Sequence, residues 1–124
     1  MRLLLDANIV IWLLGSPERI SATALQALLN PDNRLFVSTA SLMEIVAKAA
    51  TGRLTFDEES RRRTELFADW MIVTAEHAWR IGSLPPIHKD PFDRIIVAQA
   101  LVEGMTLVTG DRLLLEYGVS ILLA

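Results

Sequence analysis

Asp6, Glu44, Asp93 and Asp111 each stand inside or beside an apolar segment. Asp6 closes the run Arg2-Leu3-Leu4-Leu5, and Glu44 lies among Leu42, Ile45 and Val46. Asp93 precedes Ile95 and Ile96, and Asp111 follows Met105-Thr106-Leu107-Val108. A carboxylate taken out of water costs free energy unless something pairs with it. No run of Lys or Arg stands close enough in sequence to pair with all four. The economical partner is a divalent ion. A donor set of carboxylates without Cys or His disfavours zinc and suits Mg²⁺ or Mn²⁺, one ion or two. Such an ion makes water a better nucleophile and offsets charge on a phosphate, so the chemistry indicated is phosphodiester hydrolysis rather than acyl transfer.

Other residues belong to this set by position. Asp90 lies three residues before Asp93, on nearly the same helical face, and is a possible fifth ligand. Thr109 and Ser38 are placed to hydrogen-bond carboxylates or metal waters. Lys48, Arg53 and Arg94 are candidates for phosphate contact, and Arg94 could equally brace a carboxylate. Each acid also has a plainer reading. Asp6, Asp90 and Asp111 fit helix N-caps, Asp93 fits a first-turn dipole position, and Glu44 fits an exposed helix residue. For Asp90 the cap is the favoured role. His88 fits packing in its proline-rich loop better than substrate contact, and His77 reads as structural or exposed. Trp12, Trp70 and Trp79 follow apolar helical spacing and read as core or interface. Arg61-Arg62-Arg63 reads as a solvated helix face.

The elements that must position these acids alternate regularly. Arg2–Leu5, Leu35–Val37, Met71–Val73, Met105–Thr109 and Val119–Leu123 read as strands, several of them continuously apolar, as strands buried on both faces are. Helices are expected over Ile9–Leu14, from Ser21 as N-cap to Leu29, and from Ser38 or Ser41 to Gly52, with Leu42, Ile45, Val46 and Ala49 on one face. Further helices run from Asp57 to about Trp70 and from Thr74 as cap to Ile81. Another runs from Asp90-Pro91 to Gly104, and a short one ends at Tyr117-Gly118. Strand–helix alternation without hairpin signals predicts an α/β fold, a mainly parallel sheet of about five strands with helices on both faces. Asp6 and Asp111 then fall at the carboxyl edge of the sheet, where ligands bind in open α/β folds.

The 124 residues fit a single domain, residues 1–124, with no repeat or linker. The chain is 52% hydrophobic with mean hydropathy +0.35, an excess that suggests apolar surface kept for a partner. Its apolar runs are too short to span a bilayer, and its N-terminus lacks a cleavable signal's layout, so a cytoplasmic location without membrane contact is expected. Cysteine is absent, which removes disulfides and thiolate chemistry. The net charge of −3 argues against nonspecific binding of long nucleic acid, though a bound cation reverses the sign locally.

Four blocks carry a family resemblance. They are Leu4-Leu5-Asp6-Ala7-Asn8, Ser38 to Ile45, Asp90-Pro91-Phe92-Asp93-Arg94 with Ala98-Gln99-Ala100, and Leu107-Val108-Thr109-Gly110-Asp111. Together they resemble the PIN-domain ribonucleases, and most of all the VapC-type toxins of bacterial toxin–antitoxin pairs. His88-x-Asp90-Pro91-Phe92-Asp93-Arg94 is the most specific block. The resemblance implies a three-layer α/β/α sandwich and a Mg²⁺- or Mn²⁺-dependent endoribonuclease. Its motif acids fall on Asp6, Glu44, Asp93 and Asp111. It also implies an RNA substrate, a cognate antitoxin protein and a homodimer. Ala7-Asn8 departs from the Thr-His of many relatives, which puts contacts around the acids and substrate choice in question.

Rival classes fit less well. A phospho-receiver domain wants paired acids after the first strand and a Lys after the last; Asp6 has no acidic neighbour and no Lys follows Val119. A phosphatase with an Asp nucleophile wants a second Asp at position 8, which is Asn8. A non-catalytic binding module would lack at least one of the four acids.

Overall fold

The architecture follows from a sheet that buries both its faces. The structure, a computed structural model, describes residues 1–124. Five strands, β1 (Arg2–Leu5), β2 (Arg34–Ser38), β3 (Asp69–Met71), β4 (Thr106–Thr109) and β5 (Ile121–Leu123), form one parallel sheet in the order β3-β2-β1-β4-β5. The helices are α1 (Ala7–Gly15), α2 (Ala22–Leu29), α3 (Thr39–Ala50), α4 (Glu58–Phe67), α5 (Ala75–Ile81) and α6 (Pro91–Glu103). Short 3₁₀ turns span Pro17–Arg19 and Arg112–Tyr117.

Successive side chains of β1 point to opposite faces. Leu3 and Leu5 enter a core with Ile9, Val10, Ala24, Leu28, Val37 and Ile45. Leu4 enters the other, with Ile96, Val97, Ala100, Leu107, Leu114 and Tyr117. All three leucines are fully buried, which is why a continuous apolar run, rather than an alternating one, makes the central strand. The three layers are thus one sheet between two helical layers, as expected.

Local signals set the helix ends. Ser21 accepts from Ala24 N–H, Ser38 from Ala40 N–H and Thr74 from His77 N–H. Pro91 opens α6, and Gly104 closes it at φ 64°, a left-handed turn that a residue with a Cβ rarely adopts.

Three local expectations are corrected. α4 stops at Phe67 rather than near Trp70, because Ala68 is extended and residues 69–71 pair with β2 as Phe36↔Asp69, Val37↔Trp70 and Ser38↔Met71. The third strand therefore begins two residues before Met71. Val46 is half exposed; of the expected face Ile45 is buried, and α3 buries the small Ala40 and Ser41 beside it. Trp79 is 87% exposed, so of its core-or-interface reading the core half is corrected. No helix is long and apolar enough to cross a membrane.

Candidate active site

The strand order creates the site. From β1 the chain adds β2 and β3 on one side, and later β4 and β5 on the other. The crevice outside the carboxyl ends of β1 and β4 is the topological switch point. Asp6 is the first residue past β1, and its N–H donates to the Val108 carbonyl of β4 at 2.9 Å. Asp111 lies two residues past β4. Glu44 comes in on the second turn of α3, and Asp90 and Asp93 come in on the N-terminus of α6. All five carboxylates line one cleft of about 370 Å³, together with Asn8, Trp12, Lys48 and Gly110. At Gly110 the backbone lies so near the Trp12 ring that an added Cβ would stand 3.4 Å from its Cη2.

Asp6 is the deepest of the acids, 7% exposed. Its side chain does not cap α1. Instead its Oδ2 accepts the buried Thr109 hydroxyl at 2.7 Å. Thr109 Oγ1 also accepts the Asp111 N–H at 3.0 Å, so one hydroxyl sets the positions of two acids. Burial pushes the Asp6 carboxyl above the usual range; the Thr109 bond opposes this, and the charges of Glu44 and Asp111 add to it.

The Asp93 carboxyl is raised as well, from 3.8 to about 7. Burial is the largest cause, followed by the negative charges of Asp6 and Asp90, while His88 pulls the other way. Asp90 accepts the N–H groups of Phe92 at 2.8 Å and Asp93 at 3.3 Å, so it is the N-cap of α6 as well as a wall of the cleft. Asp111 Oδ1 accepts the Leu113 N–H and opens the 3₁₀ turn after β4. Glu44 is paired with Lys48, Oε2 to Nζ 2.8 Å, one turn along α3.

His88 has a role that its loop position did not suggest. Its Nδ1 accepts the Asp90 N–H at 3.0 Å, which leaves the proton on Nε2. From there it faces Asp111 Oδ2 at 3.0 Å and Asp93 Oδ2 at 3.2 Å. The nitrogen and the two carboxylate oxygens lie within 4.8 Å of one another, close enough to share an ion. With its proton on Nε2, however, His88 is a donor to Asp111 that also lies against the Asp93 carboxylate, and the free lone pairs are those of the acids. Its spacing two residues before Asp90, after the rigid Pro85-Pro86, is the sequence signal that could have revealed it.

Ser38 and Arg94 are placed otherwise than expected. Ser38 is buried, and its hydroxyl caps α3 through Ala40 N–H without bonding a carboxylate. Arg94 spends its guanidinium on the carbonyls of Pro85, Ile81 and Leu84 and on the Tyr117 hydroxyl. It fastens the proline loop rather than bracing an acid. Tyr117 in turn accepts the His88 N–H at 2.8 Å. Arg94 therefore reaches the site only through the loop that carries His88.

The PIN domain family model matches residues 3–119. This chain belongs to the PIN domain family. Over 120 residues it is 30% identical to Ribonuclease VapC22 of Mycobacterium tuberculosis, covering 88% of this chain and 86% of that one. Its fold is similar to a chain of the toxin–antitoxin complex from Klebsiella pneumoniae, at TM-score 0.61 and 27% identity over 87% of this chain and 85% of that one. It is also similar to a chain of VapBC2 from Rickettsia felis bound to a promoter DNA fragment, at TM-score 0.75 and 17% identity over 98% of both chains. Within this PIN domain, the acids of the four sequence blocks are those that meet in the cleft.

Proposed function

We propose that this chain is a divalent-metal-dependent endoribonuclease that hydrolyses RNA phosphodiester bonds, the toxin of a VapBC-type toxin–antitoxin pair. The observation that carries the reading is the meeting of five carboxylates from four separate segments in one cleft, with Lys48 as the one cationic side chain lining it. The 30% identity to a protein named a VapC ribonuclease supports the activity. The likeness to chains of toxin–antitoxin complexes supports an antitoxin partner. Residues 1–124 would act as one PIN unit, as a homodimer in the cytoplasm.

The residues fit a hard divalent ion. Their free lone pairs are all carboxylate oxygens, and the Asp93 carboxyl is held back from ionising by burial and by its acidic neighbours until positive charge arrives. Asp6, Glu44, Asp93 and Asp111 would hold one or two Mg²⁺ or Mn²⁺ ions, with Asp90 at the margin. When bound, such an ion supplies a water of lowered pKa and charge to offset the developing phosphate anion. Thr109 keeps Asp6 oriented. His88 holds Asp93 and Asp111 at a fixed spacing, which limits how far the acids must reorganise when substrate enters. Lys48 keeps Glu44 turned into the cleft.

The test is RNA cleavage by the purified chain in Mg²⁺, in Mn²⁺ and in EDTA, beside a folded Asp93→Asn variant. Cleavage with metal, lost in EDTA and in the variant, is expected. Equal cleavage by the variant, or no metal binding by the native chain, would sink the reading. Co-expression with the product of the adjacent reading frame tests the antitoxin; its failure to bind would remove that part alone.

A further inference from the structure

Nine of the twelve Lys and Arg side chains already have partners within the chain. Arg34, Lys48, Arg61 and Arg62 are in ion pairs with carboxylates. Arg2, Arg63 and Arg94 donate to carbonyls, Arg80 to Ser83, and Arg19 lies over the Trp12 ring. The three left over are Arg53, Lys89 and Arg112. Lys89 and Arg112 are the direct sequence neighbours of Asp90 and Asp111. Arg53 lines a second concavity of about 300 Å³, with Ala47, Lys48, Thr51 and Phe92. That concavity shares Glu44, Lys48 and Asp90 with the acidic cleft, so the two adjoin across these side chains. In a chain of net charge −3, the uncommitted positive charge is gathered around its acids.

A free guanidinium can be recruited without first breaking an internal ion pair. Beside it, Phe92 is half buried at the groove wall, an aromatic ring held by the first turn of α6. A guanidinium beside an aromatic ring matches the backbone phosphate and the base of one nucleotide of a single strand, whose bases are free to stack. We propose that this groove seats the nucleotide next to the cleaved phosphodiester, with Arg53 contacting its phosphate and Phe92 stacking on its base. The assignment rests on the nuclease reading above and adds to it a direction: the strand leaves the acids past Lys48 towards Arg53.

The test is equilibrium binding of a short fluorescent single-stranded oligoribonucleotide to the full chain across a range of KCl. Arg53→Gln should weaken binding about five- to tenfold at low salt and make the salt slope shallower by about 0.7, the loss of one phosphate contact to a single strand. Phe92→Leu should weaken binding with the salt slope unchanged, which separates stacking from charge. Arg62→Gln, on the solvent face of α4, should match the native chain. In cleavage assays Arg53→Gln should raise KM and leave kcat in place. If Arg53→Gln and Arg62→Gln give the same affinity and slope, or the native chain binds no RNA, the groove assignment is overturned. Native cleavage with an indifferent Arg53→Gln would overturn this assignment alone. Arg53-dependent binding without metal-dependent cleavage would overturn the nuclease reading and leave the groove standing.

Discussion

The Thr109 hydroxyl donates to Asp6 Oδ2 at 2.7 Å, between two buried side chains 103 residues apart in sequence. This bond ties the ends of the two central strands together and lowers the cost of keeping a carboxylate in the core. Thr109→Val keeps the shape and removes the donor. It should destabilise the fold by about 1–3 kcal/mol, the penalty for leaving a buried acceptor unpaired. It should also push the Asp6 carboxyl further up, so that activity falls at neutral pH and partly returns as pH is raised. Urea unfolding and a pH–rate profile check both; unchanged values would show that the bond does not hold Asp6.

The Asp93 carboxyl gives the metal-free chain a pH dependence of definite sign. Its pKa is about 7 folded, against 3.8 for the ordinary group. Below 3.8 both states hold the proton and the fold keeps its full stability. Between those values the unfolded chain releases the proton and the folded chain keeps it, so stability falls as pH rises and levels off above about 7. After allowance for solvent screening the loss is about 1–2 kcal/mol. Asp6, raised as well, adds to it with the same sign. Thermal unfolding in EDTA should therefore show a chain less stable at pH 8 than at pH 5. Asp93→Asn should flatten the curve, and Mg²⁺ or Mn²⁺ should restore stability at the alkaline end.

His88 Nε2 donates to Asp111 Oδ2 at 3.0 Å and stands 3.2 Å from Asp93 Oδ2. His88→Ala removes the donor to Asp111 and the neighbour that lowers the Asp93 pKa. Metal affinity should drop about 10- to 100-fold, as for other groups that orient ligands. The acid limb of the pH–rate profile should move to higher pH. Calorimetric Mn²⁺ titration reads the first, and an affinity equal to the native one would mean that the acids hold their own geometry.

Arg94 donates to three carbonyls of the segment Ile81–Pro85 and to the Tyr117 hydroxyl. Arg94→Ala should cost about 1.5–3 kcal/mol in urea unfolding, since hydrogen bonds from a charged donor are lost. Arg94→Lys should recover little, because an ammonium cannot reproduce the planar fork. A neutral result for alanine would mean that the loop is held by its prolines alone.

The sequence by itself determined what depends on neighbours a few residues away. Ser21, Ser38, Thr74 and Asp90 could be read as caps because a cap bonds two or three positions along. Leu3-Leu4-Leu5 could be read as a strand buried on both faces because only such a strand tolerates an unbroken apolar run. The block pattern of Asp6, Glu44, Asp93 and Asp111 pointed to one family and one kind of chemistry. Tertiary structure alone decided the strand order β3-β2-β1-β4-β5, and with it the crevice that gathers the acids. It made Trp70 a strand residue through pairing with Val37, against a helical pattern. It turned Arg94 towards carbonyls and His88 towards carboxylates, although both are polar residues of one stretch. Those outcomes rest on contacts between residues tens of positions apart, whose energies depend on packing and burial that no short window of sequence contains.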